Sequence, residues 1–432
     1  MTAIPRAASV RKLQRGLYRA AKSNGARKFY SLYDKVWRQD VLWQAWEEVK
    51  ANHGAPGLDA QSIEAIVASG EETFITTLGQ QLREKTYRPQ PVRRVYIPKP
   101  KGGQRPLGIP SVADRVVQTA VRLVLEPIFE ADFQDCSYGY RPRRSARACS
   151  TVIRDTLYQG VHSVVEVDLT SYFDSVPHEK LMVLVRERIA DGSVLRLLWV
   201  WLRAGYRDVD GAHRPTPQGV PQGGPLSPLL SNVYLNLLDR LWVRRGYAEK
   251  LGATLYRYAD DMVVLCRGNP RTAWEALAAV VSRMGLSLHP DKTRIVRVEE
   301  GFEFLSFYFV RRRSLTTGKR NFYIFPSKAS QQRIRENLRR FTHRRAPVKP
   351  AELLARIDDT VRGWVNYFQH TNASEAFRGL QRFINRRMRQ YLSHRRRERG
   401  VGWKRYPNRK LYAMGLIYIG AGRIRYGTHA AR

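Results

Sequence analysis

Cysteine is scarce. The 432 residues hold three, Cys136, Cys149 and Cys266, and no two form a CxxC pair. That excludes a zinc ribbon or a Cys-ligated nuclease module of ordinary ligand spacing, and it suits a reducing, cytosolic setting. Long apolar runs are also missing. None approaches the ~18 residues that suggest a membrane span, and no secretory h-region follows the N-terminus. Acidic residues are few: 38 Asp plus Glu stand against 75 Lys plus Arg, a formal charge of +37. An excess of that size points to a polyanionic partner, most simply nucleic acid. The first 33 residues carry no Asp or Glu at all. Such a composition is shared by targeting leaders and by basic arms that touch nucleic acid, and the arm is the preferred reading.

Patterning divides the chain. Residues 1–85 read as helices, with "VLWQAWEEVKAN" at helical spacing and "GAPGLD" as a break. "RRVYIPKPKGGQRPLGIP" (93–110) reads as a basic hairpin turning at Lys101-Gly102-Gly103. A helix is expected over 113–129, then an alternating strand ending at Asp168. "PQGVPQGGPLSPLLSNVYLNLLDRLWV" (217–243) is a Gly/Pro-rich loop feeding a long helix. "GFEFLSFYFVRRR" (301–313) reads as one further strand. Beyond Pro326 three apolar stripes predict a three-helix bundle: Ile334/Leu338/Phe341, Leu353/Ile357/Val361/Trp364/Phe368, and Phe377/Leu380/Ile384/Met388/Tyr391. Residues 326–400 hold 19 Lys or Arg against 6 Asp or Glu. Arg378, Arg382, Arg386 and Arg389 recur opposite an apolar stripe, which suits a phosphate backbone.

Within "LYRYADDMVVLC" (255–266), Asp260 and Asp261 stand side by side between two buried-strand patterns. Adjacent carboxylates repel, and burying either one alone is costly. A divalent metal resolves the conflict. Mg²⁺ takes carboxylate oxygens together with substrate phosphates. Asp168, at the end of its own strand, is the natural third ligand. Three carboxylates can hold two ions about 3.5–4 Å apart for an in-line displacement.

Taken together, these segments resemble the group II intron-encoded reverse transcriptase/maturases. "YADD" matches the family's catalytic hairpin, "VDLTSYFDSV" its first metal-binding motif, and "GVPQGGPLSPLLSNVYLNLLD" its substrate-contacting loop and helix. "RPLGIPSVADRVVQTAVRLVLEPIFE", "SYGYRPRRSA", "LHPDKTRIV" and "RGWVNYF" match further blocks in the same order. The resemblance spans nearly the whole chain. It implies an α+β right-hand polymerase: fingers and an antiparallel palm sheet with flanking helices, an α-helical thumb (domain X) and a small basic C-terminal region.

The resemblance also assigns roles. Asp168 and Asp260 ligate both Mg²⁺ ions, which Mn²⁺ can replace, with Asp261 beside them and the Leu169 carbonyl completing one sphere. Lys99 and Arg105 grip the incoming triphosphate, where charge-assisted bonds are strong. Phe173 rejects a 2′-hydroxyl, Gln222 contacts the nucleotide, and Lys292 protonates the leaving pyrophosphate. One departure stands out: the family's "FLGF" strand reads "FLSF" here, with Ser306 in place of Gly.

The expected divisions are an RNA-contacting N-terminal extension at 1–85, fingers and palm at 86–325, the thumb at 326–400 and a basic DNA-binding region at 401–432. No stretch is left for an HNH endonuclease, so the compact bacterial branch of the family is the match, acting in the cytoplasm. The expected partners are group II intron RNA as template and splicing substrate, a DNA primer or target, and dNTPs, with no membrane. Two alternatives stay open: an RNA-binding splicing factor without polymerase activity, and a domesticated reverse transcriptase serving defence.

Overall fold

The computed structural model describes residues 6–98, 102–314, 317–343, 347–395, 402–420 and 424–425. The chain forms two compact units. One comprises residues 1–144, 167–264 and 271–294; the other comprises 145–166, 265–270 and 295–432. Both mix helices with largely antiparallel sheets.

The first unit is organised around the helix Val112–Glu130, which buries residues on every side. It is buried on its polar as well as its apolar positions, Asp114, Arg115 and Gln118 included, which places it inside the core and obliges those groups to find partners. Ser111 caps it, its hydroxyl accepting from the Asp114 N–H at 3.0 Å. Asp114, itself buried, accepts from the Tyr87 hydroxyl and the Gln90 N–H. The N-terminal helix Arg6–Ser23 docks through Val10, Leu17 and Ala21. Gln14 and Lys22 donate to the carbonyls of Leu123 and Ala131 at 3.1 Å each.

The basic hairpin pairs Val92–Pro98 with Gln104–Ile109, in a register that sets Arg105 opposite Ile97. A short strand, Tyr206–Arg207, joins its other edge in parallel. The strand Ala253–Tyr258 turns through Ala259 and Asp260 into Asp261–Cys266. Its burial is nearly continuous, which explains the apolar run around the two aspartates.

In the second unit, Phe302–Phe304, Phe307–Arg313 and Arg320–Pro326 form an antiparallel sheet. The stretch expected as one strand over 301–313 is therefore two, folded at Leu305-Ser306. Both turn residues take positive φ, +52° and +67°. A two-residue hairpin loop with both residues left-handed favours Asn-Gly, and with neither present the turn leaves no mark in the pattern.

Three helices follow, Lys328–Phe341, Pro350–Phe368 and Ser374–Arg395. Leu353, Ile357, Val361 and Val365 are wholly buried, each contributing about 1.5–3 kcal/mol. Phe307 ties sheet to helices, stacking on Tyr367 at 5.0 Å and meeting Phe368 edge-on at 5.2 Å. The helix Asn408–Ala413 and the strand pair Tyr418–Ile419/Ile424–Arg425 then fold back on the third helix. Gln381 donates to the Ile417 carbonyl at 3.1 Å and accepts from the Ile419 N–H at 2.7 Å.

Candidate active site

Asp260 lies in the turn and Asp261 opens the outgoing strand. Ala259, before them, adopts φ +55°. Asp168 arrives directly after the strand Ser163–Val167. Residues 168–170 run antiparallel to 287–289: the His289 N–H donates to the Asp168 carbonyl at 2.8 Å, and Thr170 N–H to Ser287 O at 2.9 Å. Leu169 faces Leu288 between those two bonds, so its own carbonyl points away from this ladder. The same antiparallel run brings Lys292 onto Asp168, with Nζ 3.0 Å from Oδ2. The Thr293 hydroxyl sits 3.3 Å from both the N–H and the carbonyl of Asp168.

Asp260 and Asp261 feel burial and the neighbouring acid charge. Desolvation raises the pKa of Asp260, and the charge of Asp168 adds to the rise. The Asp261 carboxyl is pushed up to about 6, first by desolvation and then by Asp260 and Asp168, although its side chain stays open to solvent. Arg105 opposes both shifts. Its Nε donates to the Gln222 side-chain oxygen at 2.6 Å. Gln222 and Phe173 line one small cavity with Gly108 and Gly219. The Gly108 N–H donates to the Gln222 carbonyl at 2.7 Å. A Cβ on Gly223 would come within 2.5 Å of Gly108 O, so glycine is required for this close approach. Phe173 is 9 % exposed and meets Tyr172 edge-on at 5.3 Å.

The structure thus brings together Asp168, Asp260, Asp261, Lys292 and Arg105, with Gln222 and Phe173 alongside. Lys99 lies outside the described residues. Among the described residues no three His, Cys, Asp or Glu side chains are gathered into a metal cluster. Asp168 is instead turned onto Lys292. The donors nonetheless fit a hard divalent cation: all are oxygens, and the negative charge crowded at 260 and 261 is what such an ion relieves.

On the third helix, Arg378, Arg382 and Arg386 are exposed. Arg389 requires a correction. It is 1 % exposed, its Nε donates to the Tyr406 carbonyl at 2.7 Å, and its guanidinium lies 3.9 Å over the Trp403 ring. It fastens the returning C-terminal segment and faces no solvent, so it cannot meet a phosphate backbone. Sequence reasoning also missed Arg257, Asp239, Asn232 and Gly139, which surround the Ala259 turn. The available signal was one arginine, Arg257, inside an otherwise apolar strand.

Comparison with known proteins gives two family matches. Residues 97–309 match "Reverse transcriptase (RNA-dependent DNA polymerase)", and residues 331–411 match "Group II intron, maturase-specific domain". The chain is 34% identical over 342 residues to Protein YkfC of Escherichia coli (strain K12), covering 71% of this chain and 89% of that one. It is 40% identical over 215 residues to the group II intron-encoded protein LtrA of Lactococcus lactis subsp. cremoris, covering 49% of this chain and 35% of LtrA. A solved chain titled "Partial Cas6-RT-Cas1--Cas2 complex" matches over 58% of this chain and 42% of that one, at 24% identity and a TM-score of 0.36.

Proposed function

The chain belongs to the group II intron-encoded reverse transcriptase/maturase family and is an RNA-directed DNA polymerase, and we propose that Asp168, Asp260 and Asp261 hold two Mg²⁺ ions for its nucleotidyl transfer. Reverse transcriptases generally use divalent metals. The observation that supports this assignment is the gathering of partly desolvated Asp260 and Asp261 with Asp168 and Arg105, where burial first and then neighbouring acid charge raise the pKa of the first two. When bound, the ions would activate the primer 3′-hydroxyl and stabilise the leaving pyrophosphate.

The protein's own groups do the rest. The Leu169 carbonyl adds an oxygen donor. Arg105, with Lys99, grips the triphosphate by charge-assisted hydrogen bonds. Gln222 fixes the nucleotide, and Gly223 lets backbone approach it. Phe173 walls off the space of a 2′-hydroxyl. Lys292, once released from Asp168, delivers a proton to the pyrophosphate.

The remainder of the reading concerns partners. Residues 1–85 contact RNA, residues 86–325 form fingers and palm, and residues 326–400 form the thumb, with Arg378, Arg382 and Arg386 on phosphates. Residues 401–432 contact DNA. The template and splicing substrate is group II intron RNA, extended from a DNA primer with dNTPs. Three cysteines outside any disulfide suit the reducing bacterial cytoplasm. Among the described residues no helix is long and apolar enough to cross a membrane.

The test is primer extension on an RNA template against added metal. Extension should be absent with chelator and restored by Mg²⁺ or Mn²⁺, with a Hill slope above one. Extension that survives complete chelation would overturn the metal assignment.

A further inference from the structure

A wholly buried ion pair lies directly behind the Ala259 turn. Arg257 and Asp239 both have side chains 0% exposed. Stability alone is a weak reason for such a pair, since well-packed apolar residues often serve as well or better. What it does supply is direction. Arg257 Nε reaches the two Asp239 oxygens at 2.9 and 3.1 Å, and one terminal nitrogen also bonds Asp239. The other terminal nitrogen donates to the Asn232 side-chain oxygen at 2.9 Å and to the Ala259 carbonyl at 3.0 Å. The Ala259 carbonyl belongs to the peptide plane that leads into Asp260. Ala259 is held left-handed at φ +55°, a conformation costing an alanine roughly 1 kcal/mol or more. The bond from Arg257 fixes that plane in spite of the strain.

The preceding peptide of the turn is held from the other side. A Cβ placed on Gly139 would meet Ala259 N at 2.3 Å and the Tyr258 carbonyl carbon at 2.9 Å. Gly139 is not left-handed, so glycine stands there for close approach and not for conformational freedom. Three bonds keep it in place. Asn232 Nδ2 donates to the Gly139 carbonyl at 2.8 Å. The Tyr138 N–H donates to Arg257 O, and the Arg257 N–H to Cys136 O, at 2.8 Å each. One Asn232 amide therefore serves both peptides of the turn: its oxygen steadies Arg257 and its nitrogen holds Gly139. Asn232 and Asp239 sit two turns apart on the helix Ser227–Arg244, which follows directly on the loop carrying Gln222.

We infer that Arg257, Asp239, Asn232 and Gly139 are positioning residues that clamp both peptides of the Ala259 turn and so aim the carboxylates of Asp260 and Asp261. This rests on the reading of those aspartates as metal ligands. It also gives a task to "SYGYRPRRSA": that segment is the outer jaw of the clamp, and the nucleotide loop and the catalytic turn are rooted on one helix.

The decisive variant is Gly139→Ala, which adds one carbon against the turn and leaves the ion pair whole. Asn232→Asp is the second. It keeps the acceptor for Arg257 and removes the donor to Gly139. Each is measured in the full chain by Mn²⁺ titration with electron paramagnetic resonance, by single-turnover primer extension, by RNA–DNA duplex affinity and by thermal melting. Both variants should bind Mn²⁺ about tenfold more weakly and extend roughly 100-fold more slowly, the scale of an ångström misplacement. Duplex affinity should stay at the parent value. If Gly139→Ala lowers the melting temperature sharply, Asn232→Asp decides. A folded variant with parental Mn²⁺ affinity and rate overturns the clamp. Asp260→Asn is run in parallel. If it too retains Mn²⁺ binding and activity, the metal-ligand reading has failed; if it loses both while the clamp variants keep both, only the clamp has failed.

Discussion

Asp168 bonded to Lys292 is the residue-level feature with the most direct chemical consequence. The pair is exposed, 60%/37% at the two side chains, so it stabilises the fold by no more than about 1 kcal/mol. Its effect is on the site, because the ammonium occupies an oxygen that a metal would need. Lys292→Gln should lower the half-saturating Mn²⁺ concentration several-fold in a binding titration and slow single-turnover extension at saturating metal. Unchanged metal affinity would mean that Lys292 does not compete. Phe173 is nearly buried and shares its cavity with Gln222. Phe173→Val should raise ribonucleotide use relative to deoxynucleotide, read as the ratio of kcat/KM values, with polymerisation reduced but present. A folded, active variant that discriminates like the parent would make Phe173 packing alone. At this scale the carboxylates were legible, because two adjacent acids in an apolar strand contradict their surroundings. Arg389 was not. Helical spacing marks which residues flank the apolar stripe, but not that residues 402–408 return to cover one of them.

Elements were legible where periodicity ran long, as in the helix Pro350–Phe368, and failed where a turn lacked its usual residues. Leu305-Ser306 is the clearest case. Ser306 stands at φ +67°, where glycine is free of the Cβ penalty, which gives a physical reason for the family's glycine there. Ser306→Gly should raise stability by about 1 kcal/mol in denaturant titration, and Ser306→Val should lower it by at least as much. No stabilisation by glycine would contradict the strain. His370 supplies a pH handle in the same unit. Its ring nitrogen lies 2.9 Å from the Ser150 hydroxyl. Burial first, then the charges of Arg147 and Arg154, depress its pKa from 6.5 to about 4. A depressed histidine is favoured neutral in the folded state, so its contribution is complete above 6.5 and is lost as pH falls toward 4. The melting temperature should fall across that window, and His370→Gln should flatten that part of the profile. An identical profile for the variant would exclude His370 as the source.

For the molecule as a whole, the net charge of +37 is the dominant fact. RNA affinity should fall steeply with salt as phosphates displace counterions. Replacing exposed Arg378, Arg382 and Arg386 with Gln should weaken binding and flatten the slope of log K against log salt by roughly 0.7–0.9 for each phosphate no longer neutralised. Arg389→Gln should instead cost melting temperature, because that guanidinium is internal. An unchanged slope in the triple variant would remove this helix face from the RNA interface. The charge, the order of the sequence blocks and the polymerase fold were all legible in the sequence. The clamp behind the turn was not, because it joins residues 139, 232, 239 and 257 through bonds that no local pattern records. With the metal ligands proposed above, RNA-templated DNA synthesis depends on the carboxylates at 168, 260 and 261. The deciding measurement is single-turnover primer extension by Asp260→Asn, with RNA–DNA duplex affinity measured in the same preparation. Extension should fall by on the order of 1000-fold or more, about 4 kcal/mol at the barrier, while duplex affinity stays at the parent value. Extension near the parental rate with intact binding would contradict that dependence.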